Sequence, residues 1–541
     1  MFNYLYILLL ILLPFSSGFS QVTQEWVQRY DGPAGSLDLN SGLLLLDDQS
    51  SIVYGHSTGI GTQLDMTIIK YSASGSHLWD FRYNGPSNGS DQLFSIAVNE
   101  NGEIYGVGNV SDTSAIQMGI VKLNSSGILQ WIYSANIPGY SDQYGQDIIV
   151  SASGNVYACG FAKNLQNNFD LVLMKLSPEG NIVWTRTFNY SGNNNDAPVK
   201  ILCDANENIF VVGTSSDLSG NEHIFYVKYD SAGNPPNVWT YPGNSSRAVS
   251  AVMDSSGLIV IAGVTYSVSS NFDYLTLRVS SDGSSHWAES YNGPGNHLDY
   301  AYKVITDDNQ NIYVTGSSRT GSIPGTEDVL TIKYDSSGNQ LWTNRFDSHP
   351  GGSDIGYSLA LDQGQNVYIA AAIDRDTNHL IFGTMKIKQN GELEWLRTYE
   401  YYHSPEDFPY AIAVDTANSV YISGISFGGS TDYDITTIKY SQSVNINTIS
   451  NIIPPGFILH QNYPNPFNPA TKIRFEIPTQ EQVILSIYNS LGQLISIPFN
   501  SNLPSGSYEY LFDASELSSG IYFYTLQARE FKKTAKMTLI R

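Results

Sequence analysis

Eight tryptophans, Trp26, Trp79, Trp131, Trp184, Trp239, Trp287, Trp342 and Trp395, stand 48 to 55 residues apart, and they are all the tryptophans in the chain. A near-constant period of this length means that one supersecondary unit is written repeatedly, each copy burying its apolar face against the next. A second series keeps step: Lys70, Lys122, Lys175, Lys228, Arg278, Lys333, Lys386 and Lys439 each close a β-rich run such as TIIKY or TTIKY. In six of the first seven copies tryptophan follows nine residues later, with a glycine four before it, at Gly75, Gly127, Gly180, Gly283, Gly338 and Gly391. The exception, Lys228 to Trp239, carries two extra residues around Pro235 and Pro236. The spacing predicts a β-hairpin whose glycine takes the left-handed position of a three-residue bulged turn.

Two more strands complete each unit. One is an alternating run that ends in an acidic turn, as in YAIAVD (410–415); the other follows at once, as in NIYVTGS (311–317), with relatives at Ile52, Ile104, Val156, Ile209, Leu258, Val367 and Val420. Short strands separated by Gly, Asn, Asp and Ser predict a twisted four-stranded antiparallel sheet, and no helical period competes. Such sheets cover one another when repeated radially, as in a β-propeller. Trp26 opens the array without a preceding Lys strand, and Lys439 ends it without a following Trp strand. The strand around 26–30 is therefore expected to pair with the one ending at Lys439 and Tyr440, closing the ring and removing an exposed edge. The expected fold is all-β, an eight-bladed β-propeller over residues 21–443. The segment DDNQNIYVTG (307–316) resembles the core of the bacterial SBBP-type β-propeller repeat, a resemblance covering about residues 24–443. It implies a fold rather than an activity, since such propellers occur in many secreted proteins of unassigned role.

Composition shifts after Tyr440. SQSVNINTISNIIPP (441–455) is polar and then proline-bearing, so 444–455 reads as a linker. Beyond it, TKIRFEI (471–477), QVILSIY (482–488), SYEYLF (507–512), GIYFYTLQA (520–528) and KMTLI (536–540) are strand candidates, with turns at Gly492 and Gly520. They predict a small Ig-like β-sandwich over 456–541. From Pro454 onward seven bases meet six acids, whereas the whole chain carries −23. QNYPNPFNP (461–469), IYNSLGQ (487–493), FDASELSSGIYFYTLQA (512–528) and the basic ending KKTAKMTLIR (532–541) closely resemble the type A C-terminal sorting domain of the type IX secretion system of Bacteroidetes-related bacteria. The resemblance implies a sorting signal built on Asn462, Tyr463, Pro464, Asn465, Pro466, Phe467, Asn468, Pro469, Gly492, Gly520, Lys532, Lys533 and Lys536. It implies the type IX machinery as partner and passage through the periplasm. The domain is then usually removed, with the cargo released or attached to surface lipopolysaccharide at the outer membrane.

The first twenty residues lack charge, and their apolar run (4–13) is followed by Pro14 and small residues. Residues 1–20 therefore read as a signal peptide cleaved near Ser20–Gln21, and no later run approaches the roughly 18 apolar residues of a transmembrane helix. Fifty acids against 27 bases repel phosphate backbones, which excludes nucleic acid as a partner. Two cysteines, Cys159 and Cys203, exclude a disulfide scaffold and a cysteine-built zinc site, and their spacing leaves pairing open.

A third series, Asp38, Asp91, Asp142, Asp196, Asp299, Asp354 and Asp407, precedes the first strand of each unit, with Ser246 in the remaining copy. If that strand is innermost, seven carboxylates crowd one mouth of the channel and could attract a cation such as Ca²⁺. The plainer reading is that each aspartate caps its turn through backbone amides, and regular recurrence favours architecture. The Lys/Arg series is expected to be solvated or paired between blades, and the Trp series to pack the blades rather than stack sugars. DANEN (204–208) and DDNQN (307–311) resemble calcium loops but lack EF-hand spacing, so turn chemistry explains them. Nine histidines without H-x-x-x-H spacing, and the lack of a G-x-S-x-G elbow, P-loop or dinucleotide fingerprint, leave no catalytic motif and no predicted cofactor. The reading that remains is a non-catalytic scaffold offering propeller loops to a glycan or protein ligand. Its rival is an extracellular polysaccharide hydrolase or lyase using acids on one face. An enzyme would carry irregular insertions in a few blades, and the uniform period favours binding.

Overall fold

The repeat folds locally as its turn chemistry requires. In the computed structural model the hairpin glycines Gly75, Gly127, Gly180, Gly283, Gly338 and Gly391 all take positive φ, between 73° and 93°. The structure describes residues 21–540 except 114, 191–193, 235–236, 268–270, 285, 322–325, 377–378, 403–405, 444–445, 451 and 515–516. The expected signal peptide, 1–20, lies outside the described residues. Gln24–Tyr440 forms one unit, and Ser441–Arg541 falls in another.

The first unit holds eight four-stranded sheets, each strand pairing with the next in chain order, and no helix occurs among the described residues. We number them sheet 1 (38–83), 2 (92–134), 3 (143–188), 4 (196–240), 5 (246–291), 6 (299–346), 7 (355–399) and 8 (408–443). Sheet 8 supplies only three strands from that stretch. Its fourth is Gln21–Tyr30, hydrogen-bonded beside Tyr433–Ser443. This is the pairing expected from the mismatched ends of the array. The first strands of successive sheets adjoin one another in turn, and Phe408–Val414 of sheet 8 adjoins Asp38–Leu45 of sheet 1. The arrangement is propeller-like. Second and third strands, such as Ile104–Ser111 and Leu380–Ile387, are buried along almost their whole length because a neighbouring sheet covers each face.

Adjacent sheets are clipped together by the two recurrent residue types. The Trp131 indole N–H and Lys122 Nζ both donate to the Pro178 carbonyl of the next sheet's hairpin, at 3.2 and 3.3 Å. Trp184 and Lys175 do the same to Ser231, and Trp287 and Arg278 to Ser336. Five of these lysines also lie over a buried tyrosine ring, as Lys333 does over Tyr313 at 4.9 Å. Lys122, Lys175, Arg278 and Lys439 are thus paired between sheets, one of the two outcomes expected for the series.

The second unit contains two four-stranded sheets. In one, Ile446–Ser450, Gly506–Asp513, Ala470–Ile477 and Ile458–Leu459 lie side by side; in the other, Leu494–Leu503, Glu481–Asn489, Gly520–Ala528 and Phe531–Leu539. Phe475 and Tyr508 of the first sheet and Leu485, Phe499 and Tyr524 of the second share one buried core. The stretch 444–455, expected as a linker, contributes the strand Ile446–Ser450, which pairs with Gly506–Asp513. Backbone pairing compensates there for a polar sequence that carries little strand signal. No helix among the described residues is long and apolar enough to cross a membrane.

Candidate functional site

The aspartate series takes its role from backbone amides. Asp38 accepts the Gly32 amide at 2.7 Å, Asp91 those of Gly85 and Ser111 at 2.5 and 2.7 Å, Asp196 that of Tyr190 at 3.0 Å, and Asp299 that of Gly293 at 2.7 Å. Asp354 accepts the Ser348 and Asp374 amides at 2.6 and 2.9 Å, and Asp407 that of Phe427 at 2.9 Å. These six are buried. Each ties the start of a first strand to the loop before it, to the end of the second strand, or to both. Asp142 departs from the expected set. A β-bulge recurs in the first strand of every sheet, and the residue two before it is Asp in six sheets, Ser246 in sheet 5 and Gln143 in sheet 3. Gln143 accepts the Ile137 amide at 3.1 Å, the bond its aspartate counterparts make, while the neighbouring Asp142 is only half-buried and accepts Ile116 at 3.2 Å. Sequence spacing alone cannot separate adjacent residues; the bulge register does. Burial is the main cause that pushes Asp38, Asp196, Asp354 and Asp407 up to about 6. Among the described residues one acidic trio has ligand atoms within 4.8 Å of one another, Asp31, Asp38 and Asp434, and there the Arg29 guanidinium already sits 2.7 Å from Asp434. The two calcium-like loops are Asx turns, Asp204 accepting Asn206 and Asn208, and Asp307 accepting Asn309 and Asn311.

Arg29 belongs to a constellation that the sequence reading passed over. In sheet 1 Arg82, three residues after Trp79, donates to the Ser57 hydroxyl and carbonyl at 2.6 and 2.9 Å and pairs with Asp65 at 2.8 Å. Arg345 repeats this on Ser318 and Asp328 in sheet 6, and Arg29 on Ser426 and Asp434 in sheet 8. Ser and Asp face each other across the second and third strands in all three. The signal available was a tryptophan followed three residues later by arginine, in WDFR, WTNR and WVQR.

Sheet 7 lacks every member of this constellation. Thr398 stands at the arginine position, and Ile373 faces Ile381 where the others place Ser and Asp. All three line a cavity of about 490 Å³. It opens outward between Ser348, His349, Asp374, Arg375, Tyr399 and Glu400. The floor isoleucines are buried, whereas Thr398 is exposed at the mouth. Arg375 pairs with Glu400, whose other oxygen meets His379 Nε2 at 3.1 Å. The Asp374 carboxylate is 2% exposed and accepts the Ser353 and His379 amides, each at 3.3 Å. Ser348 Oγ donates to the Asp374 carbonyl at 2.8 Å. The cavity combines a floor of two isoleucines with a predominantly polar and charged rim.

In the second unit, the residues implied as a sorting signal divide by burial. Asn462 and Phe467 are each 2% exposed. The Asn462 side chain donates to the Pro464 carbonyl at 3.1 Å and to Thr471 Oγ1 at 2.9 Å, and its backbone N–H donates to the Tyr524 hydroxyl at 2.7 Å. Phe467 exchanges backbone bonds with Thr538 and Ile540. Tyr463, Pro464, Asn465, Pro466, Asn468 and Pro469 are exposed, as are Lys532, Lys533 and Lys536 on the last strand. Gly492 takes positive φ in a turn, and Gly520 opens the strand Gly520–Ala528.

Residues 461–540 match the family described as the secretion system C-terminal sorting domain. A type IX sorting domain marks the chain for the cell surface or for secretion and implies contact with the secretion machinery. Comparison with curated proteins finds no match. Among solved structures, the chain is similar to PorZ, a surface component of the type IX secretion system of Porphyromonas gingivalis, at 11% identity and TM-score 0.23, covering 93% of this chain and 81% of that one. It is also similar to a puromycin hydrolase, at 10% identity and TM-score 0.39 over 71% and 58% of the two chains. A third likeness is to a PL25 ulvan lyase, at 10% identity and TM-score 0.37 over 73% and 90%. None of these likenesses assigns an activity to this chain.

Proposed function

We propose that the chain is an extracellular binding scaffold. In this reading an eight-bladed β-propeller of SBBP-type repeats is carried out of the cell by an Ig-like type IX sorting domain and presents its loop face to a glycan or protein ligand without transforming it. The observation that carries the binding reading is the use made of the recurrent polar residues. Tryptophans, lysines and aspartates that could suggest chemistry are engaged in clips within and between sheets, sheet 7 included, and sheet 7 also opens a cavity. Incubating the mature chain with a panel of polysaccharides and proteins tests it: capture without new reducing ends or unsaturated products supports the scaffold, and turnover of any polysaccharide replaces it with the hydrolase or lyase reading.

A further inference from the structure

We infer that the cavity of sheet 7 is a saccharide subsite whose floor receives a sugar methyl group, so that its preferred ligand is a neutral 6-deoxyhexose. The inference rests on the binding reading above and adds to it a site and a ligand class. Ile373 and Ile381, 3% and 5% exposed, replace the serine and aspartate that hold a guanidinium in sheets 1, 6 and 8. A cation seated on that floor would lose its water without gaining a counter-charge, whereas a methyl group loses only unfavourable contact with water. Above the floor the character reverses. The Arg375 guanidinium and the Glu400 carboxylate place planar donors and acceptors around the opening. Adjacent sugar hydroxyls, each able both to donate and to accept, fit such a rim.

Charge and shape narrow the class further. At the rim Arg375 is already neutralised by Glu400, so among the described residues no free cation faces the opening, in a chain whose net charge is −23. Uronates and sulfated sugars are therefore disfavoured. The Tyr399 ring supplies an apolar wall for the C–H face of a pyranose. A volume of about 490 Å³ lies within the span of roughly 300–1,000 Å³ common to small-ligand sites.

The test is calorimetric titration of the full mature chain with methyl glycosides in matched pairs, L-fucose against L-galactose and L-rhamnose against L-mannose, with methyl glucuronide as the anionic probe. At least one deoxy sugar is expected to bind about tenfold more tightly than its 6-hydroxy partner, the discrimination one buried carbon group can supply. Thr398→Phe, which fills the mouth from an exposed position, is expected to weaken that binding at least tenfold with an unchanged melting temperature. Arg375→Ala, a second exposed change, should weaken it as well. The subsite is overturned if neither deoxy sugar binds, if the 6-hydroxy sugars or the glucuronide bind equally well, or if both variants bind like the parent. Polysaccharide capture that survives Thr398→Phe would leave the scaffold standing while removing this site; loss of all capture by the parent would remove both.

Discussion

Gly75 lies beneath the indole of Trp26, so close that a Cβ on Gly75 would come within 2.6 Å of the ring. The two residues come from opposite ends of the circuit: Trp26 sits on the strand completing sheet 8, Gly75 in the hairpin of sheet 1. At the same seam the Trp26 N–H and Lys439 Nζ converge on the Ala73 carbonyl at 3.2 and 3.1 Å. The junction between the last and first sheets therefore uses the same clip as the junctions within the array.

This geometry separates two costs at a glycine. Gly75→Ala meets both a left-handed backbone at φ 85° and the Trp26 ring, whereas Gly61→Ala meets positive φ with nothing within 4 Å. We expect Gly61→Ala to cost about 1 kcal/mol and Gly75→Ala about 1–3 kcal/mol more, from overpacking. Urea midpoints of the two variants measure the difference; equal midpoints would refute the ring contact.

Arg278 is the one arginine in a series of lysines, and it is the most heavily engaged of them. It pairs with buried Asp254 at 2.6 Å and donates to Ser336 and Gln310. Arg278→Met should destabilise the first unit by about 3–5 kcal/mol because it strands the Asp254 charge in the interior. Arg278→Lys, restoring the residue type of the other sheets, should recover part of the loss in the same unfolding assay.

The buried aspartates predict an inverted acid response. Asp196, held up at about 6 mainly by burial, binds its proton more readily in the folded chain than in the unfolded one, where aspartate titrates near 3.9. Folding therefore takes up protons between about pH 4 and 6, and this group's contribution is present at low pH and lost as pH rises through 6. Asp196→Asn keeps an acceptor for the Tyr190 amide and removes the titration. Its stability relative to the parent should improve steadily from pH 4 to 7, and a drift in the opposite direction would contradict the assignment.

Export should depend on the second unit. Deleting 454–541 should leave the chain in the periplasm, as followed by fractionation and immunoblotting. Undiminished secretion of the truncated chain would refute the sorting role. A milder probe is Asn462→Ala, which removes the bonds to Pro464 and Thr471. It should lower the melting temperature of the module by several degrees through one lost buried polar network.

Much of this architecture is legible in the chain because local chemistry repeats. The Lys-to-Trp spacing implies the hairpins and their left-handed glycines, and the complementary ends at Trp26 and Lys439 imply their pairing. The aspartate series is legible as to type but misplaced by one residue in sheet 3, where adjacent Asp142 and Gln143 compete and only the bulge register decides. The strand Ile446–Ser450 escapes notice because its stability comes from a partner about sixty residues away.

The repeated unit is written in the order of residues alone: strand periods and turn residues act over a few neighbours and leave their mark in linear spacing. What happens where units meet is set by packing in three dimensions. Arg82, Ser57 and Asp65 become one network through space, and Thr398, Ile373 and Ile381 leave an opening in its place, because the character of that site depends on three side chains from three strands taken together.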